Sequence, residues 1–213
     1  MVVTFISQKG GSGKSTLAIN LALALSTLKG NTVALVDADE QQSCIGVLSR
    51  HPRANLKLIQ ATKEPHLVIQ GLKERSIVCD TAGYSHGAAW EAAAVSHLAI
   101  IPIQPSLLDV LAANETVQAL LAVRDKLNRG LRIRFLINRA NPRTTLAKTI
   151  RDTLVDTYSI KIMDTVLCDR EAFKQSLHTG QSVIEHDSNS RGAIEMGNLV
   201  VEVSKILKSK KKD

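Results

Sequence analysis

Short aliphatic runs alternate along the chain with segments whose apolar positions recur three or four apart, and this alternation sets the expected elements. Residues 2–7 are rich in β-branched side chains and end at a glycine cluster, the mark of a buried strand. Leu17, Leu21, Ala24 and Leu28 follow at helical spacing, with Gly30 as a stop. Residues 32–36 are apolar again and end in Asp37-Ala38-Asp39. The same reading predicts a strand near 56–60, a helix near 66–73, and a strand at 76–79 ending in Asp80. A buried strand over 98–103 stops at Pro102 and Pro105, and a long helix near 108–127 precedes a strand at 132–137. A helix over 144–156, a strand near 161–167, and helices near 171–179 and 191–207 complete the chain.

Apolar strands alternating with amphipathic helices predict an α/β fold, a doubly wound and mostly parallel sheet with helices on both faces. Such sheets bind ligands beyond the carboxyl ends of their strands. The glycine loop, Asp37, Asp39, Asp80 and Asn138 all fall at such ends. Without a linker, internal repeat or low-complexity segment, residues 1–213 read as one domain, closed by a basic helix and tail over about 199–213.

Composition narrows the class. A hydrophobic content of 44% over 213 residues suits one well-buried core. Three cysteines, at 44, 79 and 168, match no zinc or redox spacing. The first strand begins at Val2, leaving no room for a signal peptide, and no apolar run is long enough to span a bilayer, so a soluble, cytoplasmic protein is expected. The net charge of +7 is uneven, with Lys205, Lys208, Lys210, Lys211 and Lys212 set against Glu202 and Asp213 at the C-terminus. A polyanionic partner and a merely solvated tail fit that excess equally well. With 3% aromatic residues, base stacking is disfavoured and DNA phosphates are the better target.

The strongest chemistry lies in Lys9-Gly10-Gly11-Ser12-Gly13-Lys14-Ser15-Thr16. Its glycines let several N–H groups converge on phosphate oxygens, and the helix that follows aims its positive end at the same anion. Lys14 would reach the β/γ-phosphates of ATP and the Ser15 hydroxyl would ligate Mg²⁺. Gln8 stands where the strict phosphate-loop pattern has its first glycine. Lys9 is unusual, because a second ammonium beside Lys14 is repulsive unless further negative charge compensates it.

Lys-Gly-Gly-Ser-Gly-Lys-Ser-Thr resembles the deviant Walker A motif of the ParA/MinD family of P-loop ATPases. The resemblance implies two chains sandwiching two nucleotides, with Lys9 reaching across to the partner's ATP; a solvent-facing surface residue is the alternative reading. Residues 33–39 resemble the family's second motif, with Glu40 where proline is usual. By that analogy Asp39 activates the attacking water and Asp37 supports the magnesium shell, whereas Asp37 taken alone reads equally well as a helix N-cap. Residues 77–83 resemble the Walker B motif, so Asp80 would hold Mg²⁺ through water and Gly83 would hinge on the γ-phosphate. Ile101-Pro102-Ile103-Gln104-Pro105-Ser106 resembles the strand ahead of a long interface helix. Leu136-Ile137-Asn138-Arg139 resembles the adenine-contacting strand end, although Asn138 could equally be a turn residue. Residues 169–173 and 180–183 resemble the segment that closes over the base.

Without a helix-turn-helix extension, and with Gln8 before Lys9, the chain is most similar to short, ParF-like ParA partition proteins. That similarity implies an ATPase, weak until stimulated, whose ATP-bound homodimer binds non-specific DNA on the prokaryotic nucleoid and answers to a ParB-like centromere-binding or cargo adaptor. Lys205, Lys208 and Lys210–Lys212, with Arg143, Lys148 and Arg151, are the candidate DNA contacts. A MinD-like membrane switch is the main rival, since Leu199, Val200, Val203, Ile206 and Leu207 form an apolar stripe beside the lysines. A small-molecule kinase or synthetase on the same fold, and a DNA-bound scaffold using ATP only for assembly, are further rivals.

Overall fold

The computed structural model describes residues 1–83 and 86–209. Seven strands, β1 (Val2–Phe5), β2 (Val33–Ala38), β3 (Leu56–Gln60), β4 (Ser76–Thr81), β5 (Leu98–Ile103), β6 (Arg132–Ala140) and β7 (Lys161–Cys168), form one sheet. Their order is β3-β2-β4-β1-β5-β6-β7 and every pairing is parallel. The central strands are buried along their whole length, which is why they read as unbroken apolar runs.

Alternate residues of these strands feed two opposite layers. Val3, Phe5, Val33, Leu35, Leu98 and Ile100 face one layer, covered by α1 (Lys14–Ser26), α2 (Ser43–Leu48), α7 (Glu171–His178), α8 (Val183–His186) and α9 (Arg191–Lys208). Ala34, Val36, Ala99 and Ile101 face the other, covered by α3 (Pro65–Gly71), α4 (His86–Ala94), α5 (Leu107–Lys126) and α6 (Leu146–Thr157). The doubly wound sheet is as expected from the sequence.

The apolar stripe on α9 has a structural explanation. Leu199 and Val203 are fully buried against α1 and the sheet, with Val200, Ile206 and Leu207 packed around them. That side of α9 is core and is not available to a bilayer, and no described helix is long and apolar enough to cross a membrane. Glu202 instead secures β7, its carboxylate accepting hydrogen bonds from Asp164 N, Thr165 N and the Thr165 hydroxyl.

Two boundaries matter for the site. Strand β6 runs to Ala140, three residues past the expected Ile137, so that Asn138 and Arg139 lie within its end. The pairing of β6 with β7 slips between Phe135 and Ile137 and again before Ala140. The extension thus coincides with an irregular ladder, which a regular apolar pattern does not announce.

Candidate nucleotide-binding site

The loop from β1 to α1 is held from three directions. Asn138 Nδ2 donates to Ser12 O at 2.8 Å, Gln104 Nε2 to Gly11 O at 3.0 Å, and Gln8 N to Thr116 Oγ1 at 3.3 Å. Gly13, which precedes α1, has φ of 96°, and a side chain there would collide with the Asn138 amide. Glycine is required on both counts. The first turn of α1 carries no acidic residue, so its positive end faces the loop uncompensated. Ser12 Oγ is buried with no hydrogen-bond partner among the described residues, a polar group left for a ligand. Lys14 is buried, with Nζ 3.5 Å from Lys9 O. Burial lowers its pKa, opposed by the charges of Asp80 and Asp39. The combination suits an anion, whose arrival restores the charge balance around Lys14.

Asp80 ends β4 beside the loop and is fully buried. Burial pushes its carboxyl up to about 6, despite hydrogen bonds from Ser15 and Cys44 and the charge of Lys14. Its Oδ2 accepts the Cys44 thiol at 3.2 Å, while Oδ1 has no partner among the described residues. An orphaned carboxylate oxygen beside the Ser15 hydroxyl fits a hydrated magnesium ion, with Ser15 as direct ligand and Asp80 acting through water. Among the described residues no three His, Cys, Asp or Glu side chains converge on one point.

Asp37 is tied to the backbone around it. Its Oδ1 accepts Asp39 N at 3.2 Å and its Oδ2 accepts Cys44 N and Ile45 N at 2.9 and 3.1 Å. These bonds cap the start of α2 and fix the turn that carries Asp39. Asp39 itself lines the phosphate cleft with Gln41 and Ser43, its Oδ1 accepting Gln41 N at 2.9 Å. Gly83 lies against the loop, where an added Cβ would sit 3.2 Å from Gln8 O and 3.4 Å from Gly10 N. A larger residue would press on the phosphate-binding backbone.

Lys9 stands at the rim. Its side chain is 40% exposed, and its ammonium pairs with Asp109, a 4% exposed carboxylate in the first turn of α5. Leu107, Leu108 and Leu111 of the same helix are 59, 73 and 60% exposed, an apolar patch next to that pair. Asp109 escaped the sequence reading because it lies 100 positions from Lys9. An acid in the first turn of a helix explains itself as a dipole partner, so nothing local marked it.

A second cleft continues from the phosphate loop. Gly13, Thr16, Leu17 and Asn138 form one wall, and Asp169, Arg170, Phe173 and Leu177 the other. Residues 169, 170 and 173 of the late segment and Asn138 therefore share a cleft with the loop. Val183 N donates to Asn20 Oδ1 of α1 at 2.7 Å, and Ser182 and Glu185 cap α8 reciprocally.

The candidate DNA contacts are less unified. Lys205 and Lys208 lie at the end of α9, whereas Lys210, Lys211 and Lys212 lie outside the described residues. Lys148 and Arg151 belong to α6, on the opposite face of the sheet, and Arg143 lines a cleft with Arg139 at the nucleotide end. Arg151 reaches Met163 O at 2.7 Å. The neighbours of Lys205 are instead Arg132, Arg134 and Lys161, at the starts of β6 and β7. Sequence reading missed them because they sit singly at strand starts.

Residues 3–183 match the CobQ/CobB/MinD/ParA nucleotide binding domain. Maintenance of carboxysome distribution protein A from Halothiobacillus neapolitanus is 26% identical over 91% of each chain. The chromosome-partitioning ATPase Soj from Thermus thermophilus is 26% identical over 94% of each. In three dimensions, the septum site-determining protein MinD from Pyrococcus horikoshii, complexed with Mg-ADP, is similar with a TM-score of 0.76 at 19% identity, over 100% of this chain and 99% of that one. A family match across most of the sequence, joined to a phosphate loop with a lysine at either end, makes this protein a member of the ParA/MinD family of nucleotide-binding ATPases.

Proposed function

We propose that the protein is a ParA-type ATPase that dimerises around two ATP molecules, binds DNA backbone while dimeric, and lets go after hydrolysis stimulated by a ParB-like centromere-binding or cargo adaptor protein. The observation that carries the reading is the position of Lys9. A second loop lysine, 40% exposed and flanked by solvent-wetted Leu107, Leu108 and Leu111, supports a contact with another copy of the chain. In the lone chain Asp109 neutralises it; in the dimer the partner's triphosphate would take over that charge.

Within the site, Lys14 and the loop N–H groups would hold the β/γ-phosphates, and Ser15 and Asp80 the magnesium position. Magnesium, when bound, supplies neutralisation of the phosphate charge. Asp39, anchored through its backbone to Asp37, would orient the attacking water from the open side of the cleft. Arg132, Lys161, Lys205 and Lys208 would meet DNA phosphates, which supports sequence-independent binding. The similarity to a chromosome-partitioning ATPase and a carboxysome-distribution protein supports positioning of a DNA or organelle cargo.

The test is Lys9→Ala. Sedimentation with a non-hydrolysable ATP analogue should show a dimer for the native chain, and a monomer that still binds nucleotide for the variant. Unimpaired dimerisation of the variant would remove the cross-subunit role.

A further inference from the structure

Arg139 is the least explained residue around the nucleotide clefts. It has φ of 54°, a left-handed conformation uncommon for any residue with a side chain other than Asn or Asp. Positions strained in this way cluster where a ligand must be held. The guanidinium makes no hydrogen bond or ion pair with another described residue. A cation at the carboxyl end of β6 is thus aimed by its backbone but unused by the fold.

Its surroundings indicate what it is for. Three residues, Gly13, Thr16 and Arg139, line both the phosphate cleft and the cleft walled by Phe173 and Leu177. They mark the junction of the two. A nucleotide laid with its terminal phosphates at Lys14 and its base toward Phe173 has its α-phosphate and ribose at that junction. Lys14 serves the β/γ end; of the cations lining the second cleft, Arg170 pairs with Glu195 and Lys174 with Glu171, which leaves Arg139 to meet the α-phosphate from the same chain. A guanidinium suits the task, since its planar fork bonds two phosphate oxygens at once.

We propose that Arg139 is a nucleotide-binding residue that grips the α-phosphate, and that its left-handed backbone exists to aim it there. The inference rests on the reading of this site as a nucleotide site. It also predicts that the residue contributes to ADP as much as to ATP, unlike Lys9.

The experiment measures ADP affinity of the full chain by calorimetry, with the two diastereomers of ADPαS, whose sulfur replaces one or other α-oxygen. Arg139→Ala should weaken ADP about tenfold, as expected for loss of a charge-assisted hydrogen bond. It should also shrink the native preference between diastereomers. Arg139→Gly adopts this backbone without strain and should show the same losses in a chain whose fold is not at risk. ADP affinity within twofold of native in the glycine variant, or an unchanged diastereomer preference, overturns the proposal. Failure of the native chain to bind ADP would instead overturn the nucleotide site itself.

Discussion

Asp80 gives a quantitative handle on the phosphate site. The carboxyl is buried at the end of β4, faced by Lys14, Ser15, Cys44 and Asp37, and burial dominates, raising it to about 6 from an ordinary value of 3.8. Because the folded value lies above the unfolded one, the folded chain holds the extra proton between those limits. Stability therefore falls as pH rises through that window, and the loss is complete above about pH 7. A shift from 3.8 to about 6 corresponds to roughly 3 kcal/mol, of which about 2 develops between pH 4.5 and 7.5. Asp80→Asn keeps the shape and removes the titration. Urea denaturation of the ligand-free, EDTA-treated proteins at both pH values should show the variant gaining about 2 kcal/mol relative to native as pH rises. Taking the difference between the two proteins cancels the histidines, which titrate in both. A variant-minus-native difference that stays constant with pH, or shrinks toward pH 7.5, would refute the burial argument. Saturating Mg-ADP should narrow the gap at pH 7.5, since the bound ion gives the native carboxylate its missing partner.

Two other perturbations test the remaining architecture. Asp109→Asn releases the Lys9 ammonium in the monomer; with the lysine part-exposed and screened, each pair is worth about 1 kcal/mol, so the nucleotide-dependent dimer should tighten roughly thirtyfold for two such contacts. Sedimentation equilibrium reads this directly, and an unchanged or weaker dimer would mean that Asp109 does not compete with the trans contact. Lys161→Ala with Lys205→Ala removes two contacts from each of the dimer's two subunits and should lower the slope of log affinity for a non-specific duplex against log salt by about 4, while Lys148→Ala on the other face leaves it alone. Filter binding in the presence of ATP analogue would show a wrong surface if the double variant kept the native slope.

The parts of the molecule that were legible in its sequence are those fixed by local chemistry. A glycine loop with Lys14 and Ser15 between a buried strand and a helix admits few interpretations, and the β1, β2, β4 and β5 runs are apolar because both their faces are covered. Helix α4 was missed because it packs alanines, with Ala89, Ala92 and Ala93 buried, and so shows no contrast between its faces. Its alanine run was nonetheless a propensity signal. Helices α2 and α8, of 6 and 4 residues, are too short to show a period. The two roles left open for Asp37 differ only in which groups its oxygens meet, which is a matter of three-dimensional placement. Lys9 and Asp109, or Lys205 and Lys161, are neighbours only through the sheet, and no pattern along the chain carries such pairings.

The strand β6 carries Arg132 at one end and Asn138 and Arg139 at the other. At about 3.3 Å per residue, its nine residues set the cation cluster and the nucleotide roughly 25 Å apart. That distance exceeds the reach of any side chain and several screening lengths of physiological salt. In the dimer proposed above, news of which phosphates are present would therefore be carried by whole subunits, through the angle at which two sheets are brought side by side and the spacing this gives to their far rims.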